Sequence, residues 1–137
     1  MRFLAVISCV LVGAVLGSAI NMLIIFIGPK LIAPPEGVDV TTTEGLRAGM
    51  ALMSPKHFIF PWLAHALGTF VGAWTAGKLM PKKSLLCALL VGGFFMIGGL
   101  ASAFLLPAPT WFVAVDIALA YLPTAYLAWR LFLKTNP

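Results

Sequence analysis

The chain has 137 residues, of which 61% are hydrophobic and only 9% are charged, against about 25% charged in a typical soluble domain. A soluble domain of this length has too little interior to hide so much apolar surface. The composition therefore excludes a disordered chain and argues against a soluble enzyme. It predicts an all-α integral membrane protein. The net charge of +5 does not indicate nucleic-acid binding, because the basic residues are scattered at the ends of apolar runs.

Four apolar runs are long enough to cross a bilayer as helices, which takes about 20 residues each. In chain order they cover about residues 3–27, 58–79, 84–106 and 110–133. Short Pro-containing turns join the last three runs, so these helices should be antiparallel neighbours. We expect a single membrane domain, 1–137, folded as a four-transmembrane-helix bundle. The first run exceeds the apolar core of a secretory signal peptide, which favours a retained helix over a cleaved one.

The basic residues predict the orientation of this bundle. The loop at 28–57 carries three basic and three acidic residues. The opposite side carries six basic residues and no acidic one: Arg2, Lys78, Lys82, Lys83, Arg130 and Lys134. Because cytoplasmic segments are enriched in Lys and Arg, both termini should be cytoplasmic and the loop should lie outside the cell inner membrane.

The outer loop contains a short predicted helix at about 42–53. Thr41 with Glu44 three residues later fits a capping box at its start. Leu46, Met50 and Met53 are spaced to form one apolar stripe, as in a helix that lies in the membrane interface. Two roles remain open for this outer cap: a cover packed on the helix ends, or a gate over a substrate site.

Small residues recur at four-residue spacing in the first two helices. Gly13 and Gly17 lie in the first, and Gly68 and Gly72 lie in the second. Small residues at this spacing allow helix backbones to approach closely in lipid. We expect these faces to pack helices together, within the bundle or against a membrane-protein partner or a second copy.

Two ionisable residues, His65 and Asp116, lie deep within the apolar runs, where such residues are costly and mark candidate functional sites. Counting residues from the helix ends places both about 10 Å below the outer boundary, together with Asn21. We predict that His65 and Asp116 lie within hydrogen-bond reach, about 2.7–3.2 Å. This polar intramembrane cluster could handle a proton or cation, or simply hold helices together. One His gives no basis for a metal site, and no cofactor is expected.

Three stretches carry a resemblance to known proteins: residues 55–69 (PKHFIFPWLAHALGT), 34–39 (PPEGVD) and 106–112 (LPAPTWF). Together they resemble a group of small bacterial four-helix inner-membrane proteins with no established activity. The resemblance covers nearly the whole chain. It implies the fold and the location but no catalytic residue.

Two functions follow from these features. The first is a small channel or transporter for protons or a small solute, acting as an oligomer because four short helices rarely enclose a pore alone. The alternative is an accessory or assembly subunit that binds another membrane protein through the glycine-rich faces. We do not expect an enzyme, because no nucleophile–base pair occurs at a plausible spacing.

Overall fold

The computed structural model describes residues 2–135, and within this range the chain contains helices and no strand. The helices are α1 (Arg2–Leu31), α2 (Thr43–Gly49), α3 (Ile59–Leu79), α4 (Ser84–Leu105), α5 (Thr110–Leu119) and α6 (Leu122–Thr135). Short 3-10 turns at Met50–Leu52, Pro55–Phe58 and Pro81–Lys83 connect them. The all-helical class predicted from the sequence is therefore confirmed for the described chain.

Three segments are long and apolar enough to cross a membrane: Phe3–Leu31, Pro81–Leu105 and Thr110–Lys134. They correspond to the predicted runs at 3–27, 84–106 and 110–133. The helix in the remaining run, α3, is not one of these three, because proline, tryptophan, glycine, threonine and histidine lower its mean hydropathy. Composition and length alone therefore support three crossings in the described chain.

Helix α3 lies at the centre of the bundle and contacts α1, α4, α5 and α6. Its buried residues are small: Ala64, Ala66, Gly68, Thr69, Gly72, Ala73, Ala76 and Gly77. A helix enclosed by other helices presents little surface to lipid, so its sequence needs fewer large apolar residues than that of a lipid-facing helix.

The predicted glycine faces of α1 and α3 pack directly against each other. A Cβ atom added at Gly13 would collide with the carbonyl oxygen of Gly72, and one at Gly17 with the carbonyl oxygen of Gly68. The absence of Cβ atoms thus lets the two backbones touch at two points about one helical turn apart. These faces are used within the chain and are not open to a partner.

Helix α1 extends to Leu31, four residues beyond the predicted end at 27. Pro29 lies in the last turn of α1 and has no N–H to donate to the carbonyl of Ile25, so the helix passes it with one backbone hydrogen bond fewer. Gly28 packs against the ring of Phe60, and its carbonyl accepts from the Ile32 N–H at 2.9 Å. Pro61 lies in the first turn of α3, where a helix tolerates a residue without an N–H.

The predicted helix at 110–133 is interrupted between α5 and α6. Pro123 has no N–H to donate to the carbonyl of Leu119, four residues earlier. The hydroxyl Oγ1 of Thr124 donates to this carbonyl instead, at 2.9 Å. The break is therefore hydrogen-bonded, and it turns the chain at Ala120 and Tyr121.

The main apolar core lies at the end of the bundle away from α2. Its fully buried side chains are mostly small: Ala73, Ala76, Cys87, Ala88, Val91, Ala125 and Ala128, with Val6 almost fully buried. Trp129 Nε1 donates to Ser84 Oγ at 3.2 Å and links α6 to the start of α4. Cys9 and Cys87 are free thiols. We call the buried side chains of this apolar core, Val6 and the seven fully buried residues named above, the alanine core.

Candidate functional site

Three side chains from two regions of the chain form a compact polar cluster. His65 Nδ1 lies 2.9 Å from Asp116 Oδ1 and 3.0 Å from Asp116 Oδ2. Tyr121 Oη donates to Asp116 Oδ2 at 2.6 Å and lies 2.9 Å from His65 Nδ1. The predicted contact between His65 and Asp116 is present, and Tyr121 completes it. We call these three residues the polar cluster.

The contacts of Asp116 place an N–H on His65 Nδ1 and a hydroxyl proton on Tyr121, and the remaining proton positions are those of the neutral imidazole. A carboxylate only accepts, so Asp116 is satisfied by the Tyr121 hydroxyl and by an N–H at His65 Nδ1. Neutral imidazole carries one N–H, which leaves Nε2 of His65 as a hydrogen-bond acceptor. Nε2 has no protein partner among residues 2–135. The cluster therefore offers one free acceptor.

The three members of the polar cluster differ in how much of their surface is exposed. Asp116 is 4% exposed and Tyr121 is 1% exposed, whereas the His65 side chain retains 21% of its accessible surface. A buried charge is tolerated when it is paired and hydrogen-bonded. The carboxylate is thus enclosed, and His65 is the member of the cluster that a small molecule can reach.

Tyr121 was not among the predicted site residues. In a continuous helix, residues five apart point about 140° away from each other, so Asp116 and Tyr121 should face different directions. The break before Pro123 removes this constraint. Gly99 of α4 provides the space, because a Cβ there would overlap the Tyr121 hydroxyl. The only sequence signal was the proline, which indicates an irregular helix.

Asn21, the third predicted member, is not hydrogen-bonded to the polar cluster in the described chain. The Asn21 side chain lies next to Gly68, so a Cβ atom added at Gly68 would come within 3.0 Å of the Asn21 Cβ. Gly68 is about one turn along α3 from His65. The close approach of α1 and α3 at their glycines therefore places Asn21 on the helix–helix contact. Counting residues from the helix end placed Asn21 near the level of His65, but it did not predict its partners.

A cavity of about 220 Å³ lies between the polar cluster and α2. His65 and Asp116 stand at its base. Most of its wall is apolar, including Ile25, Phe58, Phe60, Leu106, Phe112 and Ile117. An apolar pocket with a few convergent polar groups is the usual form of a small-molecule site.

Residues 43–58, which we call the cap, cover this cavity. The predicted helix at 42–53 is shorter than expected, since α2 ends at Gly49 and a 3-10 turn follows. The predicted stripe of Leu46, Met50 and Met53 lines the cavity. Met50 is buried against Phe58 and Phe112. The stripe therefore packs over the helix ends and encloses the site.

The start of α2 differs from the predicted capping box. Thr42, not Thr41, caps the helix, and its Oγ1 accepts from Gly45 N at 3.1 Å. Thr41 instead binds Asp39, through its hydroxyl at 2.6 Å and its N–H at 2.7 Å. The Thr41 hydroxyl, its N–H and the Thr42 hydroxyl, in that order, hold the pKa of Asp39 below its ordinary value.

Two side chains, Arg47 and His57, fasten the cap to the bundle through three hydrogen bonds. Arg47 is exposed, as predicted, yet its Nε and Nη2 donate to the carbonyl of Leu105 at 3.1 and 2.7 Å, at the end of α4. Ser54 N donates to His57 Nδ1 at 3.0 Å, so the proton of neutral His57 is on Nε2. That Nε2–H donates to the carbonyl of Ala33 at 3.1 Å.

The cavity ends at the polar cluster. One turn further along α3, Thr69 is fully buried, and its Oγ1 has no partner in the described chain. Beyond it lies the alanine core, none of whose residues lines the cavity. Packed side chains thus close the cluster on the side of the alanine core.

Within residues 2–135 no group of three or more His, Cys, Asp or Glu residues could hold a metal ion. No protein-family model, no curated protein and no solved structure matches the chain. The resemblance to small bacterial four-helix membrane proteins thus stays a prediction, and functional inference rests on the site itself.

Proposed function

We propose that this chain is a four-span inner-membrane protein, with both termini cytoplasmic and the cap outside, that moves a small solute or protons through the polar cluster. The fourth span would be α3. Its 21 residues extend about 31 Å, close to the roughly 30 Å of a hydrocarbon core. Its central position, surrounded by other helices, accounts for its lower hydrophobicity.

One observation carries this proposal: a cavity beneath the cap ends on a buried carboxylate that is paired with a histidine. Intramembrane ionisable residues are costly. Helix association alone needs no cavity, whereas a binding site does. The accessible His65 beside the enclosed Asp116 is the arrangement expected where a ligand or proton arrives from one side.

The closed alanine core favours a carrier over an open channel. A carrier exposes its site to each side in turn, which requires a seal on the other side. Because four helices offer little room for such a rearrangement, we propose that the protein acts as a homo-oligomer.

Proteoliposomes containing an entrapped pH dye provide the test. Internal pH and vesicle volume are followed after a pH step alone, and after gradients of phenethylamine, 2-phenylethanol and phenylacetate. We expect at least one condition to give flux that Asp116→Asn and Ser102→Phe abolish. Ser102 lines the cavity, and exposed Ala101 does not, so Ala101→Phe is the matched control. Traces equal to those of protein-free vesicles under all four conditions would overturn the proposal.

The alternative, an accessory subunit, has less support because Gly13, Gly17, Gly68 and Gly72 already pack within the chain. A partner would have to use another surface. Co-purification of one stoichiometric membrane protein, together with no flux in the assay above, would favour this alternative.

A further inference from the structure

We infer that the ligand of the cavity is a small amphipathic amine in its cationic form, and that this cation and a proton bind to the polar cluster in competition. The inference rests on the proposed function and specifies its substrate. It follows from the charge, the free hydrogen-bonding atom and the size of the site.

The charge of the site is the first step. Asp116 is the only acidic residue that lines the cavity, and no Lys or Arg of the described chain lines it. With Asp116 ionised and His65 neutral, the cluster carries one net negative charge. An anionic ligand would be repelled by this charge, and a cation would neutralise it.

The free acceptor is the second step. Both oxygens of Asp116 already accept hydrogen bonds from His65 or Tyr121. His65 Nε2 is left as the acceptor that faces no protein donor in residues 2–135. An ammonium group has three N–H donors and no acceptor. It can therefore donate to Nε2 while lying close to the buried carboxylate.

The cavity walls fit the remainder of such a molecule. Phe58, Phe60 and Phe112 line the cavity and give its wall an apolar surface for the body of the ligand. The faces of aromatic rings also attract cations, which favours the ammonium group. A cavity of about 150 Å³ holds one benzene molecule, so 220 Å³ accommodates an aromatic ring with a short side chain. The ligand is therefore an amine with a compact apolar body.

Competition with a proton follows from the single lone pair of His65 Nε2. A proton added there converts the atom into a donor and brings the net charge of the cluster to zero. A bound ammonium ion gives the same net charge through a hydrogen bond to the same atom. The two cannot occupy it together, so amine binding releases a proton, up to one per ligand. In a carrier this coupling produces exchange of amine for protons.

The other titratable groups near the cavity do not replace His65 in this role. Tyr121 donates to Asp116. His57, at the cap, is held at both ring nitrogens by Ser54 and Ala33. Neither α1 nor α4 contributes a titratable side chain to the cavity lining in the described chain.

Calorimetric titration of the full chain in nanodiscs tests the inference. The three probes are similar in size: phenethylamine and 2-phenylethanol carry a phenylethyl group, and phenylacetate carries a benzyl group. We expect phenethylamine to bind at least tenfold more tightly than 2-phenylethanol at pH 7.5, and phenylacetate not to bind. Lowering the pH to 5.5 should weaken amine binding by tenfold or more. Titrations in two buffers with different ionisation heats should report up to one proton released per amine bound.

Variants separate the site from partitioning into lipid. Ser102→Phe should abolish amine binding and Ala101→Phe should preserve it. Asp116→Asn should remove the preference for amine over alcohol; if that variant does not fold, the pH dependence and the Ser102→Phe comparison decide. Equal binding of amine and alcohol, tighter binding of phenylacetate, or no binding of any probe would overturn the inference. Asp116-dependent flux of protons or of another probe in proteoliposomes would then still uphold the proposed function.

Discussion

The hydroxyl of Tyr121 lies against the backbone of Gly99, in the space that a Cβ atom at residue 99 would occupy. This contact joins α4 to the helix break and holds the tyrosine where it donates to Asp116. A glycine on α4 thus determines the geometry of a carboxylate on α5.

We predict that Gly99→Ala displaces Tyr121 and destabilises the protein. Overpacking of a closed core costs about 1–3 kcal/mol, which should lower the midpoint of thermal unfolding in detergent. Gly98→Ala is the control, because a Cβ there has no neighbour within 4 Å. That change should be neutral or stabilising, since alanine favours helix over glycine. Equal midpoints for the two variants would contradict the contact.

His65 and Asp116 should be energetically coupled. Asp116→Asn and His65→Gln should each destabilise the bundle, and the double variant should cost less than the sum of the two. Contacting residues show coupling of about 0.5–3 kcal/mol in such cycles. Additive effects in unfolding measurements would argue against a direct interaction.

Release of Arg47 should loosen the cap. Arg47→Ala removes both hydrogen bonds to the Leu105 carbonyl. In this variant we expect a cysteine at Met50 to react with maleimide about threefold to tenfold faster than in the protein that keeps Arg47. This factor corresponds to roughly 1 kcal/mol, the contribution expected of an exposed charged hydrogen bond. Glu44→Ala, on the same helix and without a cross-element contact of this kind, is the control. Unchanged labelling in Arg47→Ala would show that apolar packing alone closes the cap.

The predicted orientation can be tested by labelling in intact cells. Cysteines at Glu36 and Glu44 should react with a membrane-impermeant maleimide, and a cysteine at Lys83 should not, in a background that lacks Cys9 and Cys87. The charge distribution predicts that the first two lie outside and the third in the cytoplasm. Labelling of the cysteine at position 83 in intact cells would show that the predicted orientation is wrong.

Asp39 should titrate below the ordinary aspartate value of 3.8. A folded-state pKa that is lowered means that the carboxylate stabilises the loop above the unfolded pKa, and that this contribution is lost as the pH falls through the folded pKa. Carboxyl chemical shifts followed by NMR between pH 6 and 2 should show this midpoint. Thr41→Val should move it upward, whereas an unchanged midpoint would rule out the Thr41 hydroxyl as its cause.

The sequence was sufficient to predict the helices and the contact between His65 and Asp116. Apolar run length gives the helical segments, three of which are long and apolar enough to cross a membrane, and position along each run gives the level of the polar residues relative to one another. The direction in which a side chain points around its helix axis was harder to predict. Tyr121 joins the cluster because the helix breaks before Pro123, and Asn21 misses it because glycine contacts fix α1 against α3. Both outcomes depend on tertiary packing, which local patterns do not encode.

The alanine core also determines where a membrane voltage would drop. His65 lies about 9 Å from the start of α3 and about 21 Å from its end, and the packed stretch excludes water from the longer part. Most of the electric field would therefore fall between the polar cluster and the far end. A cation arriving from the cap would cross little of this field, so its binding should depend weakly on voltage. Any step that carries net charge past Ala73 and Ala125 would cross most of the field, at up to about 2.3 kcal/mol per elementary charge for each 100 mV.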